Sequence, residues 1–271
     1  MTLPPTACPA VRVAFRQDAQ LEGERIVAEE TPVALTYNRT TYAVMMATPA
    51  DIEDFAIGFS LTERIVGTPH EIEDLEVVAV PDGIEARMWL AADRIDAVER
   101  RRRQIAGVTG CGLCGLESLA EATRPPVRIC GDVRVDMATL IAASQALGSR
   151  QHLNHATRAV HAAGFWRPDA GVIALREDVG RHNALDKVAG ALARAGTSAC
   201  DGVVLLTSRI SVELVQKAAA MGAPMIAAVS APTALAIRTA DAAGITLVGI
   251  TRADGFELFT HTQRILRLCQ C

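Results

Sequence analysis

Cys111 and Cys114 stand two residues apart in the stretch Gly107-Val108-Thr109-Gly110-Cys111-Gly112-Leu113-Cys114-Gly115, where four of nine residues are glycine. A thiolate is the reactive form of cysteine, and nearby positive charge or a helix N-terminus favours it. Four arginines at 100–103 lie just upstream, and residues 116–121 can open a short helix just downstream. The arginine run reads equally well as a solvated helix face. The glycine frame leaves the backbone little restricted and poorly packed, which predicts a mobile loop at about 105–116. Such an arm suits group transfer, in which one sulfur visits first a donor and then an acceptor. Cys111, nearer the arginines, is the expected accessible thiol.

Other uses of the pair fit less well. A structural zinc site takes four ligands, whereas Cys130 and Cys200 are isolated and Cys269 and Cys271 sit at the C-terminus. No permanent metal is therefore expected. A dithiol oxidoreductase of thioredoxin type would place the pair beside a strand–helix–strand unit, and no such unit adjoins it.

A second group of residues points to anion binding. Three times an apolar run gives way to a polar loop and then a helical pattern. The loops are Asp178-Val179-Gly180-Arg181-His182-Asn183, Thr207-Ser208-Arg209-Ile210-Ser211 and Ser230-Ala231-Pro232-Thr233. In an open α/β sheet such loops gather at the carboxyl ends of the strands, where helix N-termini present free N–H groups to phosphate. Arg181 and Arg209 can add bidentate contacts. The plain structural reading makes Asn183, Ser211 and Ser230 helix caps and lets Asp178 satisfy loop amides. His182 suits either a ligand or Asp178. His161 lies in an apolar run, where a satisfied core histidine is the default. No Walker loop and no G-x-G-x-x-G fingerprint occurs.

The elements that must hold these residues divide at Arg124-Pro125-Pro126. Before it, alternation over residues 11–16, 33–37, 41–47, 75–80 and 85–90 predicts short antiparallel strands. One helix interrupts them, started at Thr48-Pro49-Ala50-Asp51, with Ile52, Phe55, Ala56 and Phe59 on one face. A polar helix is expected around 93–104. Beyond it, helices over 137–147, 183–194, 213–220 and 233–242 alternate with strands over 159–166, 171–176, 202–206, 225–229 and 246–250. The expected fold class is α/β: a mostly parallel sheet covered on both faces by helices in residues 126–271, plus a smaller α+β N-terminal domain in residues 1–125.

The chain of 271 residues is 50% hydrophobic and 21% charged, so a sizeable core is within reach and long disorder is not expected. A net charge of −4 gives no reason to expect nucleic acid as a partner. Seven irregularly spaced cysteines do not form a disulfide framework. The first residues lack the basic and apolar regions of a signal peptide, and no apolar run is long enough to span a membrane. A cytoplasmic location is expected.

Taken together, the motifs resemble the FdhD family of formate dehydrogenase accessory sulfurtransferases. The resemblance rests on Gly110-Cys111-Gly112-Leu113-Cys114-Gly115, on the run from Asp178 through Arg181-His182-Asn183 to Asp186-Lys187, and on Ser208-Arg209-Ile210-Ser211-Val212-Glu213-Leu214-Val215. Ser230-Ala231-Pro232-Thr233-Ala234-Leu235-Ala236 and the run Gly244 to Gly249 extend it over nearly the whole chain. It implies a sulfur carrier that takes sulfur from a cysteine desulfurase as a persulfide on Cys111, with Cys114 assisting. The sulfur would go to the molybdenum cofactor, bis-molybdopterin guanine dinucleotide, before insertion into formate dehydrogenase. A guanine nucleotide would mimic part of that cargo. The match places a cofactor segment at Ile250, Thr251, Arg252, Ala253, Asp254 and Gly255, a cytidine deaminase-like fold in the second domain, and a homodimer.

Two departures stand out. The family often reads Thr-Gly-Gly-Val-His-Ala-Ala where this chain has Thr157-Arg158-Ala159-Val160-His161-Ala162-Ala163, and Ile250 stands where an aromatic is expected. The deaminase chemistry that the fold suggests needs H-x-E and P-C-x-x-C. Here His161 is followed by Ala162-Ala163, and Gly110 precedes Cys111. A non-catalytic chaperone that binds the cofactor without carrying sulfur is the alternative function.

Overall fold

The computed structural model describes residues 2–17, 19–91, 94, 126–129 and 131–266. It opens with a two-stranded ribbon, β1 (Ala7–Arg16) and β2 (Ala19–Ala28), paired antiparallel. A four-stranded sheet follows, of β3 (Thr31–Tyr37), β4 (Thr40–Ala47), β5 (Ile72–Val80) and β6 (Gly83–Leu90), in the order β4-β3-β6-β5. Val33, Leu35, Ile84, Ala86 and Met88 alternate onto one face and are buried there. Helix α1 (Ile52–Thr62) covers that face, and Phe55 and Phe59 are in the same core at the spacing read from the sequence.

The far side of α1 is as closely packed as its sheet side. It lies against α4 (Arg181–Arg194), and the two helices meet through glycines. A Cβ on Gly58 would stand 1.7 Å from the Asp186 carbonyl oxygen, and one on Gly190 would stand 1.9 Å from that of Asp54. Backbone therefore touches backbone, which only a residue without a side chain allows. Arg176 and Arg194 close over this contact, at 2.6 and 2.9 Å from the buried carboxylate of Asp54.

The second sheet has six strands in the order β13-β12-β11-β10-β8-β9. They are β8 (His161–Arg167), β9 (Gly171–Asp178), β10 (Val203–Leu206), β11 (Met225–Ala228), β12 (Thr246–Arg252) and β13 (Gly255–Thr260). Helices α2 (Met137–Ser149) and α3 (His152–Thr157) precede it, and α4, α5 (Val212–Met221) and α6 (Ala234–Ala243) are interleaved with its strands. Val204, Leu206, Ile226 and Leu247 pack with α4, α5 and α6, while Val203, Leu205, Met225 and Val248 pack with α2. Both faces are thus covered, as the unbroken apolar strands require. A small parallel pair, β7 (Val135–Asp136) with β14 (Ile265–Leu266), lies outside this sheet.

The α/β class holds, but the sheet is mixed rather than mostly parallel. Within it only the β10–β11 and β11–β12 pairs are parallel, because helices α5 and α6 carry the chain back between them. β8 and β9 are joined by a short turn at Pro168-Asp169, and β12 and β13 by one at Ala253-Asp254, so both pairs are antiparallel, as is β8 with β10. β2, β13 and α3 are elements that the sequence pattern did not reveal.

Candidate functional site

The sheet order decides where the polar loops meet. β10, β11 and β12 end at one edge of the sheet, and antiparallel β8 begins there, with its first residue His161 opposite Asp178 at the end of β9. β8 lies between β9 and β10. His161 therefore sits between the loop carrying Arg181 and the loop carrying Arg209. Thr207 fixes the second loop against β8, its N–H donating to the Ala162 carbonyl (3.1 Å) and its Oγ1 accepting from the Ala162 N–H (2.9 Å).

The default reading of His161 as a satisfied core residue is overturned. Its ring is half-buried at the sheet edge and makes no hydrogen bond among the described residues. Burial lowers its pKa, and the guanidiniums of Arg181 and Arg209 lower it further against the pull of Asp178. Neither arginine is in an ion pair among the described residues. The edge thus presents a neutral imidazole between two guanidiniums that have no ion-pair partner among the described residues, beside the N-termini of α4 and α5.

Asp178 and Asn183 are spent differently. Asp178 is fully buried and accepts from Lys187 Nζ (2.6 Å), the Thr48 N–H (3.0 Å) and the Gly180 N–H (2.7 Å). Asn183 Nδ2 donates to Asp178 Oδ1 (3.0 Å) and to the Met46 carbonyl (2.8 Å). These groups hold the β9–α4 loop onto the end of β4, and through it they orient Arg181. Asn183 is not a cap: Gly180 occupies that position for α4.

His182, in the first turn of α4, approaches Ser211 Oγ at 3.5 Å and Glu213 Oε2 at 3.9 Å through the same ring nitrogen, Nε2. A nucleophile–base–acid relay needs the two partners on different nitrogens, so this trio is not one. Burial pushes His182 down to about 4, helped by Arg181 and Lys217, and it is neutral at neutral pH. Deeper in, Asp186 accepts from Thr62 Oγ1 (2.6 Å) and Lys217 Nζ (3.1 Å), and Lys217 also reaches Glu63 (2.7 Å). Burial pushes Asp186 up to about 6 against the pull of Lys217 and Thr62. Burial alone would lower Lys217, but Asp186 and Glu63 outweigh it and hold it above the ordinary lysine range.

The remaining predicted residues line the neighbouring loops. Ser208 is buried and donates to the Arg209 carbonyl (3.0 Å). Thr233, rather than Ser230, caps α6, its Oγ1 accepting from the Ala236 N–H (3.3 Å). Ser211 stands at the cap position of α5 without a capping side-chain bond. The loops are stitched together by Ile210 and Pro232 in a bridge and by the Ile250 N–H on the Ser230 carbonyl (3.3 Å).

Ile250 to Gly255 form the end of β12 and its turn into β13, next to the Ser230 loop. Ile250 has φ 52, a left-handed conformation that a β-branched side chain rarely adopts. Thr251 is buried, and its Oγ1 has no partner among the described residues. Arg252 donates to the carbonyls of Val229 and Thr251, while Ala253 and Asp254 are exposed at the tip. Cys111 and Cys114 lie outside the described residues, as do the four arginines and the two helices expected beside them, apart from Arg94, which pairs with Glu71.

Residues 28–266 match the FdhD/NarQ family. The chain belongs to the FdhD/NarQ family. It is 52% identical over 260 residues to the sulfur carrier protein FdhD of Agrobacterium fabrum, covering 94% of each chain. The FdhD of Brucella abortus is 53% identical over 255 residues, covering 94% of this chain and 95% of that one. A crystal structure from Desulfotalea psychrophila, provisionally named a formate dehydrogenase accessory protein, superposes with a TM-score of 0.76 at 27% identity, over 97% of this chain and 100% of that chain. Against the FdhD pattern, the departure at Arg158 has a structural meaning: it ends α3 at φ 59, a conformation glycine takes without strain.

Proposed function

We propose that this chain is a sulfur carrier and sulfurtransferase serving formate dehydrogenase. The Cys111 thiolate attacks the outer sulfur of a cysteine desulfurase persulfide. An S–S bond forms at Cys111 as the donor's bond breaks, and the donor leaves as its thiolate. Cys114 assists, and the outer sulfur would then pass to the molybdenum cofactor, bis-molybdopterin guanine dinucleotide, which supplies the electron pair as the S–S bond breaks and Cys111 leaves as its thiolate, before the cofactor enters formate dehydrogenase. The sulfur carrier names of the relatives support the first part of this reading.

The observation that supports the cargo site is the pair of arginines, Arg181 and Arg209, brought by two strand ends to either side of His161 without a carboxylate partner among the described residues. Guanidiniums of this kind favour the pyrophosphate of a dinucleotide. Arg252, Thr251 and the rest of the β12–β13 turn lie beside the Ser230 loop and would extend the contact. The experiment replaces Cys111 by alanine. Formate dehydrogenase activation should be lost with folding and guanosine diphosphate binding retained; full activation would favour the cofactor chaperone.

A further inference from the structure

His161 is held firmly by its backbone, while its ring has no hydrogen-bond partner among the described residues. It pairs with Asp178 across the β8–β9 ladder, and the next residue, Ala162, is fastened to Thr207 by hydrogen bonds of 2.9 and 3.1 Å. Side chains alternate along a strand, so His161 shares the face of Ala163 and Phe165. Both of those are buried in the core built with α4 and α5. The imidazole therefore stands at the end of that face, where α4 and α5 begin. Neither helix start is capped by a side chain.

Three charged groups act on the ring: Arg181 at the start of α4, Arg209 in the β10–α5 loop and Asp178 at the end of β9. Asp178 is already matched by Lys187 Nζ (2.6 Å) and by the Thr48 and Gly180 amides. Its neighbours on β9 are engaged elsewhere, Arg176 with Asp54 and Glu177 with the first amides of α3. His182 turns its Nε2 to Ser211 and Glu213. β10 carries no titratable side chain. What faces His161 is thus net positive, and a third positive charge there is unfavourable until an anion enters.

We propose that His161 binds the cargo's phosphate between Arg181 and Arg209 and takes up one proton from solvent as it does so. This role rests on the reading of the edge as the pyrophosphate site. The neutral imidazole gains a proton and donates to a phosphate oxygen, and no bond to phosphorus forms or breaks. In the free chain burial, then the two arginines, hold the imidazole below its ordinary value of 6.5. The bound anion raises it. Between the free and bound values each binding event captures a proton, so affinity rises as pH falls, by up to about tenfold per unit.

Calorimetric titration of the full chain with guanosine diphosphate, in two buffers of unlike ionisation enthalpy, counts the protons taken up. At pH 7 the wild type should take up more than His161→Gln, which keeps a donor and cannot titrate. Both chains share the ligand's own titration, so the difference belongs to the imidazole. The variant should also bind about 10-fold more weakly, lose the added rise in affinity toward acid, and keep its melting temperature. Binding with equal proton uptake in both chains overturns the role of His161 and leaves the anion site standing. A wild type that binds no guanosine diphosphate overturns both.

Discussion

Lys187 Nζ lies 2.6 Å from Asp178 Oδ2, and neither side chain is exposed to solvent. The pair is completed from far along the chain by Thr48, whose carbonyl accepts from Lys187 (2.9 Å), whose N–H donates to Asp178 and whose hydroxyl accepts from the Val179 N–H (3.1 Å). A similar group, Thr62, Asp186 and Lys217, closes the other end of α1. Helix α1 is thus clamped onto α4 at both ends by a threonine, an aspartate and a lysine, with glycines touching between. Much of the long motif from Asp178 to Lys187 serves this clamp, and Arg181 is the residue it leaves facing the site.

Lys187→Met leaves Asp178 buried without its cation. Breaking a buried pair costs about 3–5 kcal/mol. Urea denaturation should show a loss of that size. A loss below 1 kcal/mol would mean that the clamp contributes little.

Gly58→Ala places a methyl group inside the Asp186 peptide, where no flexible side chain can yield. The helices must separate, at a cost of about 3 kcal/mol or more. Gly23→Ala, in open space on the ribbon, is the matched control and should be nearly neutral in a melting experiment.

Asp186 titrates near pH 6 in the folded chain, above its unfolded value of 3.8, because it is buried. Between those values the native state holds the proton more tightly, so this group's contribution is full below about pH 4 and is lost as pH rises through 6. Asp186→Asn removes the dependence. The stability of the wild type relative to that variant should fall on the order of 2–3 kcal/mol from pH 3.5 to pH 7, by roughly 1.4 kcal/mol per unit of displacement. A flat or rising difference would contradict the assignment.

Arg181→Ala and Arg209→Ala remove charge-assisted contacts worth about 1.5–3 kcal/mol each. Affinity for guanosine diphosphate should drop roughly 10–100-fold for either variant, more steeply at low salt, with the melting temperature unchanged. Calorimetric titration checks this. Equal affinity in both variants would move the anion site elsewhere.

The architecture was largely legible because it is carried by local periodicity. Ile52, Phe55, Ala56 and Phe59 announce the buried face of α1, and the apolar runs ending at Leu206 and Ala228 announce parallel strands whose loops must share an edge. Direction and partnership are less local. Whether Asp178 faces a ligand or Lys187 depends on Thr48, 130 residues away, which no window reveals. β2 was hidden because Gln20, Glu22, Glu24 and Arg25 leave it no apolar stripe. His161 looked like core because Ala162 and Ala163 follow it, yet the first residue of a strand lies at the sheet edge. The left-handed backbone at Ile250 has no sequence signal, since isoleucine disfavours it.

The most direct test is the mass of Cys111 after incubation with a cysteine desulfurase and cysteine. The expected product is a peptide carrying one or more additional sulfur atoms on Cys111, removed by a thiol reductant and absent from Cys111→Ala. A Cys111–Cys114 disulfide, seen as the loss of two hydrogens with no sulfur gained, would contradict the carrier role.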